Sequence, residues 1–280
     1  MTTKVSEIMT KNPISYHAPS SVDDVVKVLL HKNVTGMGIT DSSGKYLGII
    51  SRRDIFNNTM ETQTAMLMRR VTPVHEDDDI ASAAQAMNKL GRRHMAVVDR
   101  EGFLKGILTP QNFLPEIINT YGNIPVTEFI SRRVVPVWEQ APISMIPEIS
   151  RLTSIYSFPV LDAEGTFVGL VTDRDIFDKA NISMETVVSK TDVSDDEDPW
   201  TWDGFRNMME YVVSKNMIKL PPMEISKVMV RNPQTIFLND LVSKVSSIMY
   251  KGNFNQVPAM ETPDKLAGMI YDVDLLGVFK

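Results

Sequence analysis

Four short phrases hold the residues whose types and spacing could do chemistry: GIISRRD from Gly48, GILTPQN from Gly106, GLVTDRD from Gly169 and GMIYDVD from Gly268. In three of them a hydroxyl residue precedes an acid or amide by three positions, as Ser51 and Asp54, Thr109 and Asn112, and Thr172 and Asp175. An ionised carboxylate only accepts hydrogen bonds, so Asp54 or Asp175 can receive both hydroxyl hydrogens of a sugar cis-diol. Ser51 or Thr172 adds a third contact. Asn112 offers an amide oxygen without charge assistance, so its site should be weaker or more selective. The fourth phrase keeps Asp274 but puts Tyr271 where the hydroxyl residue belongs, and that bulk can fill a pocket. The same spacing is also a helix capping box, which is the better reading of any lone copy. Recurrence at four equivalent places favours a sugar grip.

Phosphates need cations or helix-start amides. The densest cluster is Arg92, Arg93 and His94, just before the apolar run Met95 to Val98, while Arg52, Arg53 and Arg174 lie inside the closing phrases. The third and fourth repeats carry Tyr156 and Ser157, and Asn255 and Gln256, in the corresponding places. The tighter site for a phosphorylated ligand is therefore expected in the first half of the chain. His94 could equally be a satisfied histidine at a strand edge. His17 and His75 match Trp138 and Phe237 in position, and this exchange with aromatics reads as packing rather than catalysis.

The phrases close four repeats, with their glycines 58, 63 and 99 residues apart. Each repeat opens alike: SEIMTKNPISY, AMLMRRVTPVH, TEFISRRVVPVW and ISKVMVRNPQTIF. A helical stretch follows, with Val22, Val25, Val26, Leu29 and Leu30, or Ile80, Ala84 and Met87, on one face. Two short apolar runs then flank a turn at Gly44, Gly102 or Gly165. One unit reads strand, helix, strand, strand, helix. The expected boundaries are 1–60, 61–121, 122–178 and 223–280, with an insertion at 179–222. That insertion holds the acidic run Asp195 to Asp198, then a helix expected from about Asp203 to Met217. Phe205, Met208, Met209, Val212 and Val213 share one side of it, to pack on the repeats with Trp200 or Trp202, or to dock a partner.

At 280 residues and 43% hydrophobic content the chain can bury real cores, but a single repeat is too small to do so, and neighbouring repeats should pair. The absence of cysteine excludes disulfides and thiolate chemistry and fits a reducing, cytoplasmic setting. Four scattered histidines show no metal-ligand spacing, and neither GxxxxGK[ST] nor GxSxG occurs. A net charge of −6 argues against broad nucleic-acid binding. No apolar run suits a membrane span or an export signal.

Four ordered copies of this pattern resemble the cystathionine beta-synthase (CBS) domain, whose repeats pair into Bateman modules. The resemblance implies an α/β fold with two modules in a disc-like array. It also implies that the closing phrases grip ribose and that Arg92, Arg93 and His94 meet phosphate. The implied function is that of a regulatory sensor of AMP, ADP or ATP without catalysis of its own, similar to the gamma-subunit type of AMP-activated protein kinases. S-adenosylmethionine is the rival ligand, since it shares the adenosine diol. The expected partners are an adenine nucleotide and a regulated protein, with a homodimer left open. A pure interaction scaffold built on the insertion is the alternative, and a nucleotide hydrolase the least supported one.

Overall fold

A computed structural model of the chain describes residues 3–56, 58, 61–179, 183–189 and 213–280. The α/β expectation holds, and each repeat is built from the local signals in its sequence. Ser21 accepts the Asp24 N–H at 3.1 Å and starts the helix Val22–His31, which buries Val22, Val25, Val26 and Leu29. Asp79 accepts the Ser82 N–H at 2.9 Å and starts Ile80–Leu90, which stops at Gly91 with φ of 58°. The corresponding helices of the last two repeats are Met145–Thr153 and Val242–Gly252.

Each repeat then forms a small sheet. A short strand runs parallel to a middle strand, which folds back antiparallel on a third. In repeat 1 these are Ser15–His17, Gly36–Thr40 and Tyr46–Ser51, and in repeat 2 Val74–His75, Met95–Val98 and Leu104–Leu108. Repeat 3 uses Val137–Trp138, Ser157–Leu161 and Phe167–Thr172, and repeat 4 uses Ile236–Phe237, Gln256–Thr262 and Lys265–Tyr271.

The opening segments do not stay with their own repeats. Thr10–Lys11 pairs antiparallel with Ile107 and Gly106 of repeat 2, and in return Arg69 bridges Ile49 of repeat 1. Val230–Arg231 pairs with Leu170 and Gly169 of repeat 3, and Ser131 bridges Met269 of repeat 4. This exchange explains the glycine that opens every phrase. A Cβ on Gly48 would lie 2.8 Å from the Arg69 carbonyl oxygen, on Gly169 2.8 Å from that of Val230, and on Gly268 2.5 Å from that of Ser131, while Gly106 lies against the Met9 sulfur. Only glycine admits the incoming backbone.

Three apolar clusters result among the described residues. Repeat 1 has its own, centred on Val25, Leu29, Met37, Ile39 and Ile50. Repeat 3 has another around Ile146, Phe158, Val160 and Val171, closed by Ile225 and Val228 from the opening of repeat 4. Repeats 2 and 4 share the third and largest, in which Phe113, Leu114 and Ile117 of helix Pro110–Thr120 join Val242, Val245 and Met249. Phe279 completes it edge-on to Phe113 and Tyr121, with ring centroids 5.8 and 5.1 Å away. Its carbonyl accepts a 2.9 Å bond from Gln85 of repeat 2.

Two expectations are corrected. The helix placed at about 203–217 does not extend over its last residues, because Val213–Lys219 is a strand paired antiparallel with Ser183–Ser189. Val187, Val188 and Thr186 on the partner strand suit that pairing. The acidic run, Trp200, Trp202 and the rest of the expected helix lie outside the described residues. The matched positions His17, His75, Trp138 and Phe237 are not buried packing sites either: all four are exposed, Trp138 by 49% and Phe237 by 38%.

Candidate ligand cavities between the repeats

All four repeats converge on a cavity of about 460 Å³. Repeat 1 contributes the end of its third strand and the helix Arg52–Phe56, with Ser51, Arg52, Arg53 and Asp54. Repeat 2 contributes Arg69 and Val71 from its exchanged opening and Gly91, Arg92, Arg93 and His94 from the turn before its middle strand. Ser154, Tyr156, Asp173 and Arg174 of repeat 3 and Asn255 of repeat 4 complete the wall. Six arginines thus face two aspartates, Asp54 and Asp173.

Asp54 is 5% exposed and is held from both ends. One carboxylate oxygen accepts the Ser51 hydroxyl at 2.6 Å and the Ser51 N–H at 3.0 Å, a capping box. The other faces the cavity, 3.0 Å from Arg69 Nε and 3.7 Å from Arg92. Capping and ligand binding are therefore compatible, because they use different oxygens. Arg69 was not singled out in the sequence. The signal that could have found it is the MRR triplet in the second opening segment, once that segment is paired with the strand leading into Ser51.

The arginines divide by role. Arg52 borders the cavity but is only 3% exposed, and its Nε donates to the Val34 carbonyl at 3.0 Å, a structural bond in place of the phosphate contact expected of it. Arg93 is likewise committed: Nε and NH2 grip the fully buried Asp272 of repeat 4 at 3.1 and 2.5 Å. Burial pushes the Asp272 carboxyl up, and the guanidinium against it opposes that shift. Arg53 reaches across to repeat 3, with its Nε 3.3 Å from Asp173 and its guanidinium 4.3 Å from the Tyr156 ring centre. Arg92 is 42% exposed at the cavity wall and Arg174 lines the cavity from repeat 3.

His94 lies over Gly36, where an added Cβ would come within 3.0 Å of the ring, and its Nε2 sits 2.9 Å from the Thr35 hydroxyl. Burial first, then the charges of Arg93 and Arg53, pull its pKa down to about 3. That shift favours the neutral imidazole, which meets Thr35 through a hydrogen bond.

A second cavity of about 940 Å³ lies on the other side of the same wall, sharing Thr35, Arg93, His94, Arg174 and Asn255. It contains the second phrase, Thr109 and Asn112, with Thr10, Asn12, Pro13 and Ile14 of the exchanged first opening. Here the amide oxygen of Asn112 already accepts both the Thr109 N–H at 2.7 Å and the hydroxyl at 3.0 Å. Its NH2 donates to the Ile8 carbonyl at 2.9 Å and approaches the Thr10 hydroxyl at 3.4 Å. The phrase presents a donor where Asp54 presents an acceptor, which departs from the amide-oxygen grip expected of Asn112.

Thr172 and Asp175 form the third capping box, with hydroxyl and N–H bonds of 2.7 and 3.0 Å, and line neither cavity. Asp274 is also apart from both. One of its oxygens is buried without a hydrogen-bond partner among the described residues, and burial raises its pKa to about 6. Burial likewise raises Tyr271, to about 12. Among the described residues no group of three or more His, Cys, Asp or Glu side chains is placed to hold a metal ion, and no helix is long and apolar enough to cross a membrane.

The chain is similar to uncharacterized protein MJ1225 of Methanocaldococcus jannaschii, at 25% identity over 61% of this chain and 68% of that protein. The crystal structure of MJ1225, described there as a proposed archaeal homologue of γ-AMPK, superposes with a TM-score of 0.78 at 15% identity, covering 99% of this chain and all of that one. An uncharacterized conserved protein from Pyrococcus horikoshii superposes with a TM-score of 0.66 at 24% identity, again over 99% and 100%. A shorter match, 31% identical over 39% of this chain, covers 22% of the L-aspartate semialdehyde sulfurtransferase of Methanocaldococcus jannaschii. The CBS domain model matches four times, at residues 5–61, 65–119, 126–181 and 225–280, and so the chain belongs to the CBS-domain family.

Proposed function

We propose that the chain is a regulatory adenine-nucleotide sensor that binds AMP, ADP or ATP in the cavity shared by all four repeats and has no catalysis of its own. One observation carries this reading: in a cavity lined by arginines from three repeats, one oxygen of Asp54 meets Arg69 and Arg92 of repeat 2. The carboxylate suits a ribose diol and the arginines suit phosphate. S-adenosylmethionine carries a sulfonium instead of phosphates, and this charge pattern disfavours it.

The regulatory part follows from where Arg53 and Arg93 point. Both line the cavity, and both reach to the opposite module, at Asp173 and Asp272. A phosphate competes with those aspartates for the guanidiniums, so ligand occupancy and module contact are linked, and the change passes to a regulated protein. Such a link requires different affinity for two packings.

Calorimetric titration with AMP, ADP, ATP and S-adenosylmethionine tests the reading. Saturable nucleotide binding is expected, weakened at least tenfold by Asp54→Ala. Arg92→Ala should weaken the phosphorylated ligands and leave S-adenosylmethionine unaffected. A folded protein that binds none of the four overturns the reading.

A further inference from the structure

The fourth phrase keeps its acid but lacks the cations that meet the first. Asp54 faces Arg69 and Arg92. At the fourth phrase Ser131 bridges Met269 as Arg69 bridges Ile49, and Ile155 follows the left-handed Ser154 as Arg92 follows Gly91. One oxygen of Asp274 is left buried without a hydrogen-bond partner among the described residues. An ionised oxygen so placed loses hydration and gains no partner, a cost that a proton removes.

The groups packed around Asp274 do not supply the missing charge. It shares a shallow cavity with Asn88 of helix Ile80–Leu90, and with Glu128 and Lys280, which stand 3.9 Å from each other. Asp272, two residues away, is already gripped by Arg93. The strand Lys265–Tyr271 brings the uncharged Tyr271 phenol, and helices Pro110–Thr120 and Val242–Gly252 bring the apolar Phe113, Ile117 and Met249. Burial raises the Asp274 pKa to about 6, Asp272 adds to the rise, and a backbone bond from Tyr271 opposes it. The short helix Asp272–Leu275 continues through Leu276–Val278 to Phe279, so the segment that carries Asp274 also carries the Arg93 partner and the ring that completes the shared core.

We propose that Asp274 is a proton-operated latch on the face shared by repeats 2 and 4: with its carboxyl protonated, residues 272–279 lie sealed against repeat 2, and ionisation loosens them by drawing water to the buried oxygen. The ordinary carboxyl titrates at 3.8 and the folded one at about 6, so between those values the folded chain binds more protons. The stability supplied by the proton is complete below 3.8 and is lost as pH rises through about 6. His94 titrates over an overlapping range with the opposite sign, so a variant is needed to separate the two.

Asp274→Asn keeps the shape and cannot ionise. In the full chain its Tm should match that of the wild type near pH 4 and exceed it by roughly 3–6 °C above pH 6.5. Hydrogen exchange of residues 272–280 in the wild type, corrected for the intrinsic rate, should show at least threefold less protection at pH 7.5 than at pH 5, whereas His94 alone would shift it the other way. A Tm difference that does not change with pH, or protection that is equal at the two pH values, overturns the proposal. Should the variant not fold, the exchange measurement on the wild type decides alone.

Discussion

The two modules meet through two faces of different construction. Between repeats 2 and 4 the helices Pro110–Thr120 and Val242–Gly252 bury a common apolar core, sealed by the bidentate Arg93–Asp272 pair with side chains 13% and 0% exposed. Between repeats 1 and 3 each side keeps its own core, and the described polar contact is Arg53 on Asp173 and Tyr156, with the charged side chains 31% and 18% exposed. One face is a domain interior and the other resembles a wet interface. The arginine-rich cavity opens where both sets of arginines converge. On the proposed reading, a ligand there would loosen the second face more cheaply than the first, with the fused side as hinge.

Matched substitutions can break this contrast. Asp272→Ala leaves Arg93 unpaired in a buried place and should destabilise the fold by about 3–5 kcal/mol, whereas Asp173→Ala should remove about 1 kcal/mol or less. Urea midpoints decide, and equal effects would mean that the faces do not differ. Next in size, Asn112→Asp sets a carboxylate against the Ile8 carbonyl at the start of the helix that carries the fused core. A loss of about 1–3 kcal/mol is expected. Full stability in the same urea series would mean that the NH2 is not needed there.

A pH-dependent effect concerns His94, beside Arg53 of one face and Arg93 of the other. Its folded pKa of about 3 lies below the ordinary 6.5, so between those values the unfolded chain binds more protons. The stability from keeping it neutral is complete above pH 6.5 and is lost as pH falls toward 3. His94→Gln should flatten the dependence of Tm on pH in that window. An unchanged slope would show that the ring is protonated in the folded protein without penalty.

Much of this was legible in sequence because it is local. The valines of Val22–His31, the caps Ser21 and Asp79 and the turn glycines Gly44, Gly102 and Gly165 each announce their element within a few residues. The repeated phrase marked the repeats, although the need for its glycine became clear only with the neighbouring backbone in place. Contacts at long range were hidden. No periodicity says that Thr10 pairs with Ile107, that Arg69 approaches Asp54, or that repeat 2 faces repeat 4 and not repeat 3. For the same reason the protein partners of Arg52 and Arg93 were hidden: an arginine's type is visible in sequence, but the carbonyl or carboxylate it meets is not. The strand Val213–Lys219 was misread as helix because its apolar residues fit a helical face when its partner strand is ignored.

Phe279 gives the fused core a direction in time. A ribosome emits repeat 2 long before repeat 4, yet Phe113 and Ile117 find part of their covering only in residues 242–279. During synthesis that apolar helix face must wait uncovered for well over a hundred residues, a span in which chaperones or aggregation compete for it. The first module can settle its exchanged strands early, but the fused core waits for the residues of repeat 4.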